Sequence, residues 1–262
     1  MFSIGNIPTD LLGGALYIFQ RYTPMFIFGV RNTLMISLTA TIIGLFIGLL
    51  FATLKNLRVL KQDVFFVKLI KYGLKTIANV YIEVFRGTPM MVQAVFLYYG
   101  LRPTLGWSPF HAAIVIVSVN TGAYMAEIIR AGIQSLDDGQ YEAARSIGMK
   151  HSVAMITVIL PQAIKNSFPA IGNEFVVNIK DTSVLNVIGV TELFFQSFAI
   201  AGNIYRFTDT FFVTAIIYLF LTLTVTSILR VIEKKMDTPS GMVGASSSFS
   251  GAFKVFRKGG TS

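Results

Sequence analysis

The residues of this chain best suited to chemistry are acids and amides set among apolar neighbours. Glu174, Asn178 and Asp181 are spaced four and three apart, so on a helix they line one face and can point at a common cavity. Asn173, Lys180, Thr182 and Ser183 lie beside them. A second group, Glu83-Val-Phe-Arg86-Gly87-Thr88-Pro89, sets an acid and a base three apart, able to pair, before a glycine that permits a break. Thr88 is a good N-cap and Pro89 fits the first position of a new helix, so this segment reads as two helices in series. The second would present free backbone N–H groups and a positive dipole end near Thr88, where an anion is held well. In a third group, Asn120, Tyr124 and Glu127 recur at helical spacing, with Thr121 and Arg130 nearby. Thiolate chemistry is excluded, because the chain has no cysteine. His111 and His151 fall in separate segments.

The elements that must position these groups are membrane helices. Of 262 residues 53% are hydrophobic and only 13% charged, against roughly 25% charged in soluble domains. The mean hydropathy is +0.65. The apolar residues come in long runs, at about residues 24–54, 77–101, 109–130, 168–200 and 210–232, which read as about five spans of an all-α bundle. Gly44 and Gly48, four apart in the first run, permit close helix packing; ordinary tolerance of glycine in membrane helices explains them equally well. The net charge of +9 matters less than its placement. Lys55, Arg58, Lys61, Lys68, Lys71 and Lys75 follow the first run. Arg145, Lys150 and Lys165 lie in a central polar stretch, and Lys234, Lys235, Lys254, Arg257 and Lys258 follow the last run. The positive-inside rule makes those regions cytoplasmic, with the N-terminus outside and the C-terminus inside. Residues 1–23 read as an outer arm or interfacial helix rather than a cleaved signal, because no basic region precedes their apolar residues and Arg21 interrupts them. Residues 55–75 alternate Lys with Val64, Phe65, Phe66, Leu69 and Ile70 and read as a surface-lying stretch on membrane lipid, not a nucleic-acid site. Residues 237–262, rich in Ser and Gly, read as a disordered cytoplasmic tail.

Charges at membrane depth usually face a bundle interior or a water-filled cavity. Each group nevertheless has a plainer explanation. Glu83 and Arg86 could be an internal ion pair at a kink. The Asn120–Arg130 group could be interfacial charges and interhelical hydrogen bonds. The Glu174 group could be a salt-bridge network with Lys180. Glu192 and Gln196 are explained by exposure at the outer interface. The chemical alternative is a site for an α-amino acid, which needs an acceptor for the ammonium and donors for the carboxylate. Glu174 or Asp181 opposite the Thr88 helix end would supply both.

The stretch from Gln134 to Gln162 is the longest polar interruption between spans, at about residues 134–162. Tyr141 to Met149 reads as a short helix ended by Gly148, and Ser152 to Leu160 as a second amphipathic piece stopped by Pro161. Two short helices meeting at a glycine make a compact knob, too polar to enter the bilayer and suited to docking a partner protein. Its pattern is Glu142-Ala143-Ala144, three residues, Gly148, nine residues, then Val158-Ile159-Leu160-Pro161.

That pattern resembles the EAA loop of importer permeases of the ATP-binding cassette (ABC) class, with every spacing kept and Val158 in place of the family's Ile. Glu83-x-x-Arg86-Gly87-Thr88-Pro89-x-x-Val92-Gln93, Ala126-Glu127-Ile-Ile-Arg130-Ala131-Gly132 and Lys180-Asp181-Thr182-Ser183 look like the polar amino acid permeases. The resemblance covers about Asn32 to Lys235; the tail after Met236 and residues 55–75 are less typical. It implies a type I importer transmembrane domain, residues 24–236, in the bacterial plasma membrane. It also implies a second permease, identical or related, and two ATPase subunits, which bind the ATP and Mg while this chain carries no cofactor. An extracytoplasmic binding protein would deliver an amino acid. In the family the loop enters a groove on the ATPase. Glu142 would then be the polar contact beside Ala143 and Ala144, Gly148 the turn, and Leu160-Pro161 the end of the coupling helix, so that ATPase closure switches the spans between inward and outward facing. The substrate-binding candidates are Thr88, Pro89, Gln93, Glu174, Asn178, Asp181 and Ser183. A secondary transporter or channel is the rival reading, but such transporters usually show two repeated halves and none is visible here. A membrane enzyme would need a reactive constellation that is absent. No phosphate-binding Gly-x-x-x-x-Gly-Lys-Ser/Thr loop occurs, so the chain is not itself the ATPase.

Overall fold

The computed structural model describes residues 8–57, 59 and 62–236. Residues 1–7, Arg58, Leu60 and Lys61, and the expected tail at 237–262 lie outside the described residues. All regular structure among the described residues is helical. The first helix, α1 (Leu11–Lys55), is capped by Asp10, whose carboxylate accepts from the Gly13 N–H at 2.7 Å. From Leu11 on, the expected arm and the first span form one helix, with a kink at Tyr22 (φ −112°, ψ 15°). Pro24 is the cause: it has no N–H to give to the Gln20 carbonyl, and the Thr23 hydroxyl turns back to Phe19 O at 2.5 Å and Gln20 O at 3.4 Å.

α4 (Pro109–Gln134) packs along α1. Ser108 caps it, and Pro109 opens it with the fixed φ that a helix start favours. The contact is set by glycine. A Cβ on Gly44 would lie 2.9 Å from Thr121 Cγ2, and one on Gly48 would lie 2.4 Å from Met125 Cβ. The small-residue spacing is therefore a packing seam that a larger side chain would force apart.

α2 (Phe65–Gly87) and α3 (Met90–Leu105) follow, separated by Thr88 and Pro89 in extended backbone. The apolar run at 77–101 is thus two helices with a break where Gly87 and Pro89 predicted one. α5 (Asp138–Ser146), α6 (His151–Ala154) and a π-helical turn at Met155–Ile159 form the central polar stretch. α7 (Leu160–Asp181) continues into a 3₁₀ segment, Thr182–Ile188, then α8 (Leu193–Ile204) and α9 (Phe207–Met236). Among the described residues α1, α4 and α9 are long and apolar enough to cross a membrane. His151–Ile188 with α8, bent by 55°, makes a fourth crossing if the pair counts as one. Buried clusters knit these helices together. One joins Ile36 and Ala40 of α1 to Ile116 of α4 and Leu185 of the 3₁₀ segment, and another joins Ile18 and Phe26 to Leu193 and Ile200 of α8.

Candidate functional site

The intramembrane polar residues fall into two kinds. Asn178, 3% exposed, lies where α1, α4 and α7 meet. It accepts from the Thr121 hydroxyl at 3.1 Å and donates to the Thr41 hydroxyl at 2.9 Å, and Thr41 passes its own proton to Ser37 O at 2.7 Å. Its amide is consumed in holding three helices together. Glu174 is half-buried and Asp181 exposed. Sequence spacing grouped the three; the fold turns Asn178 into the core and leaves the acids on a neighbouring face. Lys180 is exposed and makes no ion pair among the described residues, so the salt-bridge network expected as the plain explanation does not form. Ser183 is half-buried.

Thr88 closes α2 rather than capping α3: its hydroxyl donates to Val84 O at 2.8 Å, and Pro89 takes the N-cap position. Gln93 holds the break. Its amide nitrogen donates to Phe85 O at 2.9 Å and Thr88 O at 3.0 Å and lies 2.8 Å from the Thr88 hydroxyl oxygen. Its amide oxygen accepts from Asn120 at 3.0 Å. Gln93 is buried and fixes backbone, while Thr88 and Pro89 are exposed. The first intrahelical bond of α3 runs from Gln93 N to Pro89 O, so the N–H groups of Met90, Met91 and Val92 have no intrahelical acceptor.

Arg86 does not pair with Glu83, which is exposed and without an ion pair among the described residues. It lies over the Tyr124 ring at 5.6 Å and 3.8 Å from Glu127. Glu127 is a hub: its carboxylate accepts from Lys55 of α1 at 2.7 Å and from Arg130 at 3.0 and 2.8 Å. One acid thereby ties the ends of α1, α2 and α4.

Glu192 is fully buried, not exposed at an interface. Its two carboxylate oxygens accept from the N–H groups of Phe194 and Phe195 at 2.8 Å each, capping α8, and one also accepts from the Tyr218 hydroxyl at 3.0 Å. Three donors, one of them from α9, replace the water that the acid gives up. The readable signal was an acid immediately before an apolar helical run.

The central stretch folds as a two-helix knob, but its second helix does not stop at Pro161: α6, the π-helical turn and α7 run on without a break, because Pro161 sits in the first turn of α7 where its missing N–H is tolerated. Asp137 caps α5 by accepting from the Gly139 N–H at 2.6 Å. Gly148 turns the chain at φ +87°, a conformation that other residues seldom take. The Tyr141 hydroxyl meets His151 Nδ1 at 2.9 Å, clasping the two helices. The π-helical turn precedes Pro161, whose missing N–H cannot serve the Thr157 carbonyl and whose ring crowds it; widening the turn relieves both. Ala144 is buried and Leu160 packs on the Ile82–Ala126–Ile129 cluster, so these two residues anchor the knob. Glu142, Ala143 and Gly148 are exposed, as is Pro161, and Ile147, 75% exposed, stands beside them. An exposed acid and an exposed isoleucine on one short knob are the composition of a contact surface. The exposure of Ile147 had no signal in the sequence pattern. Among the described residues no group of three or more His, Cys, Asp or Glu converges to hold a metal ion.

Residues 72–238 match the model of a family described as the binding-protein-dependent transport system inner membrane component. The chain is similar to the glutamine transport system permease protein GlnP of Escherichia coli K12, 36% identical over 216 residues, 81% of this chain and 93% of the relative. It is also similar to the arginine transport system permease protein ArtQ of Bacillus subtilis, 34% identical over 217 residues, 82% and 94% of the two chains. Among solved structures, an amino acid ABC transporter crystallised with histidines has a chain that matches at TM-score 0.73 and 40% identity, over 87% of this chain and 99% of that one. A chain of the inward-facing MetNI methionine ABC transporter matches at TM-score 0.70 and 19% identity, over 83% and 99%, a likeness that speaks to the fold. With 34–36% identity to relatives matched over nearly their whole length and a family model over most of its own, the chain belongs to the binding-protein-dependent transport system inner membrane components, the permeases of ABC transport systems.

Proposed function

We propose that this chain is the membrane subunit of an ABC importer that carries a polar amino acid across the bacterial plasma membrane. One observation carries the coupling part. The full Glu142-to-Pro161 spacing sits on a knob anchored through Ala144 and Leu160, with Glu142 and Ile147 left facing out. A dimer of ATPase subunits, holding ATP and Mg, docks there, with Gly148 as the turn and Leu160-Pro161 where the knob runs on into α7. The chain works beside a second permease, identical or related, and receives its cargo from an extracytoplasmic binding protein. It crosses the membrane five times with the N-terminus outside and the C-terminus in the cytoplasm. The α2–α3 pair makes one broken crossing, the arrangement that membrane transporters use at substrate sites. No catalytic chemistry is assigned to it.

The amino acid class is supported by the relatives named for glutamine and arginine and by the transporter crystallised with histidines. We assign the substrate's carboxylate to the free first-turn N–H groups of α3 beside Thr88 and Pro89, and its ammonium to Glu174 and Asp181, with Ser183 at the edge. Gln93 and Asn178 serve this site by fixing the elements around it. In the reconstituted complex, Glu174→Gln and Asp181→Asn should each weaken substrate-stimulated ATP hydrolysis while basal hydrolysis persists. Unchanged stimulation in both would remove these acids from the site. Transport that runs without ATP would instead favour a secondary transporter.

A further inference from the structure

On the side of α7 away from Glu174 and Asp181, a groove between α7 and α9 encloses a cavity of about 170 Å³. Its apolar wall includes Phe168 and Leu229, and its polar wall Asn173, Thr226, Arg230 and Glu233. Gly172 keeps the groove open, since a Cβ there would meet Leu229 Cδ1 at 3.1 Å. Arg230 and Glu233 are three apart on α9, the spacing at which an acid and a base usually pair. Neither forms an ion pair among the described residues, and both line the cavity. They stand at the charged end of α9, just before Lys234 and Lys235, where a span meets water. One α9 stripe leads into this pocket from the apolar part of the span. Leu219 and Leu223, each 58% exposed, precede Thr226 and Arg230 at helical i, i+4, i+7 and i+11 spacing.

We infer that this groove is a binding site for an aminophospholipid of the phosphatidylethanolamine kind. A cavity lined by an unpaired base and an unpaired acid fits a zwitterion. Arg230 takes the phosphate through its planar fork, while Glu233 and Asn173 take the primary ammonium. A purely anionic lipid would place its charge against Glu233, and a choline head offers no N–H to it. The cavity is smaller than the roughly 300–1,000 Å³ usual for whole small-molecule ligands, so it admits a head group alone. The acyl chains then run along Leu223 and Leu219 toward the bilayer centre.

The site is separate from the proposed substrate site, and the test keeps them apart. The assembled transporter is purified in mild detergent from membranes containing phosphatidylethanolamine, and bound lipid is read by native mass spectrometry. The wild type should retain phosphatidylethanolamine. Arg230→Gln and Glu233→Gln should each lower its retention roughly tenfold, the loss of a single charge-assisted contact, with the melting temperature of the complex unchanged. Glu233→Gln, which adds no bulk, decides the question if Arg230→Gln fails to assemble. Equal retention in both variants overturns the site. Phosphatidylglycerol held as well as phosphatidylethanolamine, and lost only with Arg230→Gln, reduces it to an anionic patch and overturns the proposal. Displacement of the lipid by the transported amino acid, or a disulfide between cysteines placed at 226 in two permease copies, gives the groove to the substrate or to a second chain and likewise overturns it.

Discussion

The seam where α1, α4 and α7 meet and the knob built from α5 and α6 are both rich in polar side chains, and they use them in opposite ways. In the seam Thr41, Thr121 and Asn178 satisfy one another across three helices, and Gly44 and Gly48 bring the backbones together. In the knob Asp137, Tyr141 and His151 are among the residues that make internal bonds, while the side chains of Glu142 and Ile147 are left exposed. With no water in the bilayer core, a polar group there must find a protein partner. On the exposed side of the knob water can serve it. The seam therefore carries stability, and the knob leaves open the surface that we propose the ATPase meets.

Substitutions should separate the two. Gly48→Leu should have the largest effect, because its Cβ alone meets Met125 Cβ at 2.4 Å and the Ala126 backbone nitrogen at 2.9 Å. Overpacking against backbone costs about 1–3 kcal/mol or more, and the permease should fail to accumulate in membranes on immunoblotting. Accumulation at the normal level would show that α1 and α4 can part there without cost. Asn178→Ala comes next. Intramembrane hydrogen bonds average about 0.6 kcal/mol each, so losing two should cost roughly 1 kcal/mol and lower the melting temperature of the purified complex by a few degrees. A melting temperature equal to the wild type would take Asn178 out of the seam. Asp181→Asn should do the reverse, leaving the melting temperature alone and weakening substrate stimulation of ATP hydrolysis. A drop in melting temperature as large as that of Asn178→Ala would erase the distinction between the two sides of α7.

The knob was legible because its signals are local. A glycine that accepts positive φ marks a turn in any fold, whereas Pro161 was misleading as a stop: at the first turn of α7 it is tolerated, and the helix that begins at His151 runs on through it. The break at Thr88 was legible for the same reason, although the cap fell one residue later. The α1–α4 seam was half-legible: Gly44 and Gly48 showed that something packs closely, not what. What a single helical period cannot show is which face a partner will cover. Asn178 and Asp181 are three apart, and only the approach of α1 and α4 separates their roles. Arg86 had Glu83 at the right spacing but found Glu127 across a helix boundary. Glu192 read as an interfacial acid because its three donors include Tyr218, far along the chain.

The central claim is that the exposed side of the knob is the point at which ATP hydrolysis enters the permease. The most direct measurement is co-purification of the ATPase with tagged permease in mild detergent, comparing the wild type with Glu142→Arg. The wild type should bring down the ATPase. Glu142→Arg should lose it by roughly tenfold or more, as removal of a central contact does, with the permease melting temperature unchanged. Full ATPase recovery with the variant, or none with the wild type, would contradict the account.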